Sequence, residues 1–278
     1  MTAATDACDW SIVLFTRGEA ARLARCLAAI RRAAEGRDAR VTVLLRGSER
    51  EAAALAGRLG GAAPGLRLYA LPQGDRANAW NQYVHALRPQ ASMHVFLEDH
   101  AEIGPEALQS LAAALAVEPR AEAATALPSE GRDAAARRTR LRRGGQLHGT
   151  LHALRGRWVE ALAAEGMRLP VGLERIHPVL ARRLGDRITV AEEASWQPLP
   201  QRLGEGWRRR LRAARARIEE AALAGRETLP EFAQPLLRDW LARQAGPGEG
   251  FFDWLARRRL ALEAIPSPEA LRPRPVLV

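Results

Sequence analysis

Between Trp10 and Leu127, short apolar runs alternate with segments of helical periodicity, and this alternation constrains the fold more than any other feature of the chain. Residues 10–15, 41–45, 66–70, 93–97 and 121–127 read as strands. They are apolar almost throughout, as strands covered on both faces are. Between them, residues 19–34 carry Leu23, Leu27 and Ile30 at helical spacing, and residues 49–59 stop at Gly60-Gly61. Residues 77–87 stop before Pro89, and Pro105 opens a helix over 106–117. The pattern predicts an α/β fold with a mainly parallel central sheet flanked by helices, Rossmann-like in plan. Ligands on such sheets sit at the carboxyl ends of the strands. The loops after Phe15, Leu45, Ala70 and Leu97 are therefore where a site is expected.

Beyond residue 127 the pattern changes. Residues 128–145 hold six arginines against Glu130 and Asp133 and read as a surface loop or short polar helix. Residues 146–154 read as strand-like, 158–184 as helical with a break around Pro170, and 188–190 as another short strand. From Leu203 the chain reads as helical over 205–225, 229–244 and 250–263, and then as a Pro-rich, poorly ordered tail from Pro266. The expected division is a domain over 1–200 and a helical extension with a Pro-rich tail over 201–278.

Composition removes several chemistries. The 278 residues carry a net charge of +10, and every one of the 42 basic Lys+Arg positions is arginine. Without lysine, a P-loop phosphate grip, a Schiff-base aldolase and a pyridoxal-phosphate enzyme are excluded. Arginine in place of lysine, with abundant alanine, is also what a GC-rich genome produces, so charge alone is weak evidence for a nucleic-acid partner. Aromatic residues make up 5% of the chain and no nucleic-acid-binding motif is present, so no specific nucleic acid is expected. The two cysteines, Cys8 and Cys26, lack CxxC or zinc spacing, which fits a reducing, cytoplasmic setting. No apolar run is long enough to span a membrane and the N-terminus lacks signal-peptide character.

The strongest chemical signal is Phe96-Leu97-Glu98-Asp99-His100. Three side chains able to hold a metal follow a buried strand at its carboxyl end. In an extended segment Glu98 and His100 share one face and Asp99 takes the other. A strand-end turn or a helix cap is the structural alternative. All six histidines fall between His85 and His177, around this motif. His148 and His152 are an even number apart on an expected strand and can share a face.

Taken in order, several segments resemble glycosyltransferases of family 2, which have the GT-A fold. These are the opening strand and loop Ser11 to Gly18, the Cys26-Leu27 pair in the first helix, and Arg46-Gly47-Ser48 after the second strand. They continue with Gly74-Asp75-Arg76-Ala77-Asn78-Ala79-Trp80-Asn81, then Val95 to His100 at the family's Asp-x-Asp motif. Glu102-Ile103-Gly104-Pro105 and Gly149 to Arg155 complete the series, so the resemblance spans roughly residues 10–200.

The resemblance implies transfer of a sugar from a nucleotide-diphosphate donor to a glycan or lipid-linked acceptor, by inversion and with a divalent cation. Such an ion neutralises the charge that builds on the departing diphosphate. Glu98 and His100 would hold it, with Asp99 between them; the imidazole favours Mn2+ over Mg2+. Thr16, Arg17, Arg46, Gly74, Arg76 and Asn81 fall on the nucleotide side. The family's Glu-Asp pair, which supplies the general base, is missing from Leu169-Pro170-Val171-Gly172-Leu173-Glu174-Arg175-Ile176-His177. Glu174 and His177 are the candidates left for that role. A basic amphipathic segment at 202–217 allows peripheral contact with the inner face of a membrane, and cell-envelope polysaccharide synthesis is the expected setting. Two alternatives stand beside this reading: a non-catalytic nucleotide-sugar-binding protein on the same fold, and an arginine-rich nucleic-acid binder.

Overall fold

The computed structural model describes residues 7–59, 66–73, 75–131, 133–173, 175–199, 207, 210–211, 213–215, 218, 251–262 and 268–276. The helix expected over 229–244 lies outside the described residues.

The first half of the chain follows its hydrophobic pattern. Strands β1 (Cys8–Thr16), β2 (Ala39–Arg46), β3 (Arg67–Leu71) and β4 (Ala91–Glu98) alternate with helices α1 (Ala20–Ala33), α2 (Glu49–Leu59) and α3 (Arg76–Gln82). A π-helical turn at Tyr83–Leu87 extends α3. Local chemistry sets the helix starts. Ser48 and Glu51 form a reciprocal capping box at α2, the Ser48 amide donating to Glu51 Oε2 at 2.7 Å. Asp75 caps α3 by accepting from the Asn78 amide at 2.9 Å.

The second half contributes β5 (Ala101–Ile103), α4 (Ala107–Val117), β6 (Ala123–Pro128), α5 (Ala134–Arg142), β7 (Leu151–Arg155), α6 (Gly156–Ala164), α7 (His177–Leu184) and β8 (Ile188–Pro198). Two further helices, α8 (Phe251–Leu262) and α9 (Pro268–Leu271), precede β9 (Arg274–Val276). The sheet runs β5-β8-β6-β7-β4-β1-β2-β3-β9. Strands β1, β2, β3, β4, β6 and β8 share one direction, and β5, β7 and β9 oppose it. Helices cover both faces. Ile12 and Leu14 of β1 pack with Leu23, Leu55 and Leu111 on one side. Val13 and Phe15 pack with Trp80, Trp158 and Leu180 on the other, where Leu211, Ile218 and Ala256 of the C-terminal region also dock.

Of the two readings of residues 128–145, the short polar helix forms, as α5 over Ala134–Arg142. Two expectations change. The strand expected at 188–190 continues to Pro198, because it pairs with β6 on one side and β5 on the other. The Pro-rich tail contains β9, antiparallel to β3 at the sheet edge, where Pro275 can sit without a missing N–H disrupting an interior ladder. Arg274 fastens it to Glu49 at 2.6 Å.

Burial also couples this fold to pH. His94 is fully buried, its Nδ1 hydrogen-bonded to the Tyr83 hydroxyl at 2.6 Å. Burial, aided by Arg88, pulls its pKa from 6.5 to about 4. The unfolded chain takes up this proton first. Stability is therefore full above about 6.5, falls as the pH drops, and reaches its floor below about 4, a loss on the order of 3 kcal/mol. Urea unfolding at about pH 7.5 and about pH 5 should show roughly two-thirds of this drop, and a flat profile would contradict a buried neutral His94.

Candidate active site at the carboxyl end of the fourth strand

Glu98 ends β4, and the turn after it is pinned on three sides. The Glu98 amide donates to the Thr150 carbonyl and the Asp99 amide to the Phe15 carbonyl, each at 3.1 Å. From α1, the Cys26 thiol donates to the Asp99 and Ala101 carbonyls at 3.2 and 3.0 Å. Burial, with the Asp99 charge adding to it, pushes this thiol up to about 12. Cys26 is thus an inert strut beneath the turn rather than a nucleophile.

The pinned turn separates its three side chains. Glu98 Oε2 meets His100 Nδ1 at 2.9 Å, and Oε1 meets the Arg76 guanidinium at 2.6 Å. Arg76 is the first residue of α3, and its guanidinium carbon lies 4.2 Å from the centre of the Phe15 ring, a cation–π contact that fixes its aim. Burial works to raise the Glu98 pKa, but Arg76 and the His100 hydrogen bond prevail and hold the carboxyl well below its ordinary range. Asp99 turns the other way. Its Oδ2 accepts from the Thr16 hydroxyl at 2.5 Å and from the Arg17 amide at 3.3 Å, so it closes the loop after β1.

Above Glu98 opens a cavity of about 860 Å3. Phe15, Arg76 and Glu98 line one part of it, and His148, Thr150 and His152 another. Arg137, Arg140, Arg175, His177 and Arg182 are among its other lining residues. His177 begins α7, with Nε2 3.5 Å from an Arg175 nitrogen. Burial first, then the Arg175 charge, pulls its pKa down to about 3, leaving a neutral ring at neutral pH. His148 is lowered to about 4 by burial and Arg137; its Nδ1 accepts from the Thr150 amide at 3.1 Å. His152 stacks on Phe96 and donates from Nδ1 to the His148 carbonyl at 2.8 Å.

The structure sorts the residues expected from sequence. Arg76, Glu98 and His177 line the cavity, and His100 joins them through Glu98. Asn81 does not face a ligand: it is buried, donates to the Leu169 carbonyl and accepts from the Leu169 amide, and so holds the loop before α7. Thr16, Arg17 and Asp99 are joined in the loop after β1, and Arg46 ends β2; none is among the cavity-lining residues described. Gly74 and Glu174 lie outside the described residues. Sequence reasoning missed Arg137 and Arg140 as site residues. Their spacing of three on a helix was the available signal, hidden in what reads as a solvated charge run.

The donor set admits a divalent cation. Glu98 and His100 bring a carboxylate and an imidazole to one point, a pairing suited to Mn2+. Among the described residues no cluster of three or more His, Cys, Asp or Glu side chains forms, so phosphate and water would have to complete the shell.

The sequence model of glycosyl transferase family 2 matches residues 11–167, more than half of the chain. No curated protein matches the sequence. Among solved structures, the mannosyltransferase PcManGT from Pyrobaculum calidifontis, in complex with GDP-Man and Mn2+, is similar at a TM-score of 0.62 and 17% identity. That match covers 93% of this chain and 74% of the other. Glucosyl-3-phosphoglycerate synthase from Mycobacterium tuberculosis, in complex with Mn2+, UDP and glucosyl-3-phosphoglycerate, is similar at 0.53 and 19% identity, covering 74% and 78%. S. aureus TarS in complex with UDP-GlcNAc is similar at 0.52 and 12% identity, covering 84% and 70%. At these identities the structural likeness establishes the shared fold.

Proposed function

The chain belongs to glycosyl transferase family 2, and from that premise we propose that it moves a sugar from a nucleotide-diphosphate donor to a glycan or lipid-linked acceptor, with inversion at the sugar. The observation that carries this reading is the Arg76–Glu98–His100 constellation at the cavity floor, at the carboxyl end of β4. A divalent cation held by Glu98 and His100 would supply positive charge to the leaving diphosphate.

The chain's own residues do the rest. Arg76, seated on Phe15 and paired with Glu98, presents a fixed guanidinium to phosphate oxygens. His177 is neutral at neutral pH and lies on the cavity wall, its Nε2 facing the Arg175 guanidinium. It is our candidate to take the acceptor's hydroxyl proton, and an anionic diphosphate in the cavity would raise its basicity. Thr16, Asp99 and the Arg17 amide shape the loop that would bracket the base of the nucleotide.

No described helix is long and apolar enough to cross a membrane. Within the basic segment 202–217, Trp207 is 45% exposed, and Trp254 of α8 is 46% exposed. Exposed tryptophans beside arginines support peripheral contact with an anionic membrane.

The test is a thermal-shift screen of nucleotide sugars with and without Mn2+, followed by turnover with the stabilising donor. A specific donor should raise the melting temperature by mass action, and His177→Ala should then lower kcat while sparing donor affinity. Stabilisation with no turnover against any acceptor would instead support the non-catalytic binding protein. No stabilisation by any nucleotide sugar would sink both readings.

A further inference from the structure

Arginines from several elements line the cavity: Arg76, Arg137, Arg140, Arg175 and Arg182. Glu98 is the one carboxylate among its described lining residues, and Arg76 and His100 already engage it.

The arginines fall into two places. Arg76 stands over Glu98 at β4, whereas Arg137 and Arg140 come from α5, which follows β6. In the sheet β7 separates β6 from β4. Two strand spacings amount to about 10 Å, so the two groups reach the cavity from separate parts of the sheet.

Their neighbours on the helix are occupied. Arg138 donates to the Pro128 and Ser129 carbonyls, and Arg142 pairs with Glu192 at 2.7 Å. Arg137 and Arg140, three residues apart and so on one face, have no ion pair or side-chain hydrogen bond among the described residues. A second feature of the cavity also lacks its partner. His152 is 2% exposed and lines the cavity, and its Nε2 is buried without a hydrogen bond. With Nδ1 donating to His148, that Nε2 is an acceptor suited to a ligand hydroxyl.

We propose that the acceptor is anionic: it carries a phosphate or carboxylate gripped by Arg137 and Arg140, with a hydroxyl donating to His152. The inference rests on the transfer reading and names its substrate class.

Calorimetry on the full chain, in the presence of UDP or GDP, tests it. Glucose 6-phosphate and glucuronic acid should bind where glucose does not. Arg137→Ser/Arg140→Ser should weaken that binding about ten-fold or more, since each lost charge-assisted hydrogen bond is worth a large factor. The matching lysine variants should restore part of it, because the charge stays and the two-pronged geometry goes. Vesicles of phosphatidylcholine with and without phosphatidic acid separate the two sources. Loss of vesicle binding in the serine variant, with no sugar-phosphate binding, supports an anion borne on a lipid. The arginines are exposed, so melting temperatures should stay within a few degrees of wild type. The same titrations report nucleotide affinity: its absence from wild type counts against the transfer reading. Binding of neither anionic probe nor anionic vesicle, or binding that the serine variant leaves unchanged, overturns the inference.

Discussion

Exchanging Glu98 for glutamine should cut kcat by about two to three orders of magnitude with the stabilising donor at saturation. The side chain keeps its size, so the β4 turn, pinned by Thr150, Phe15 and Cys26, should keep its shape. What disappears is one negative charge that orients two partners at once, Arg76 at 2.6 Å and His100 at 2.9 Å. Arg76 would keep its seat on Phe15 but lose its ion pair, and His100 would lose the carboxylate that fixes its ring. Any divalent cation would lose its hard oxygen ligand. Donor affinity should fall less than kcat, because nucleotide contacts away from the diphosphate are untouched. Wild-type turnover in this variant would move the centre of chemistry away from the strand end. His100→Ala separates the contributions: unchanged Mn2+-dependent nucleotide binding in it would remove the metal assignment.

Gly156→Ala should be the most damaging single methyl group among the described glycines. A Cβ at Gly156 would sit 1.9 Å from the Ala91 carbonyl oxygen and 3.2 Å from that of Ser92, both on the backbone of β4. No side-chain rotation relieves that clash. Either α6 separates from the sheet or β4 shifts, and β4 carries Glu98. A loss on the order of 4 kcal/mol or more is expected, read as a lower urea midpoint at unchanged slope. Gly57→Ala in α2 is the control. Nothing lies within 4 Å of its added Cβ, so helix propensity should make it stabilising by about 0.5–1 kcal/mol. Equal effects at the two positions would show that packing against β4 does not set the requirement for glycine.

Much of the site was legible because its signals are local. Glu98, Asp99 and His100 sit directly after a run whose apolar character marks a buried strand, and alternation along that strand already separates Asp99 from the other two. Arg76 was readable from its place in the Gly74–Asn81 segment after the third strand; the structure makes it the first residue of α3, one residue before the expected start. Its pairing with Glu98 joins positions that only the parallel sheet brings together, and no spacing rule contains that contact. For Asn81, the segment lies on the nucleotide side, but its amide pointed to fixing a loop, and only the fold shows that Leu169 supplies both partners.

The later elements were harder to read for the same reason. Glu192 and Glu193 interrupt the apolar run after Val190, so β8 reads as three residues, and its full length Ile188–Pro198 exists because β6 and β5 pair with it from both sides. β9 has almost no strand propensity in Arg274-Pro275-Val276 and forms because an open edge at β3 accepts it.

By itself the sequence determined the α/β class, the strand-end motif and the absence of lysine-based chemistry, since each rests on residue type or on periodicity over a few positions. Only the tertiary structure decided which arginines meet at one cavity, that His148, His152 and His177 are held neutral there, and that Arg76 stands on Glu98. Those outcomes depend on burial and on contacts between segments tens of residues apart, and both are set by how the strands order in the sheet rather than by any stretch of the chain alone.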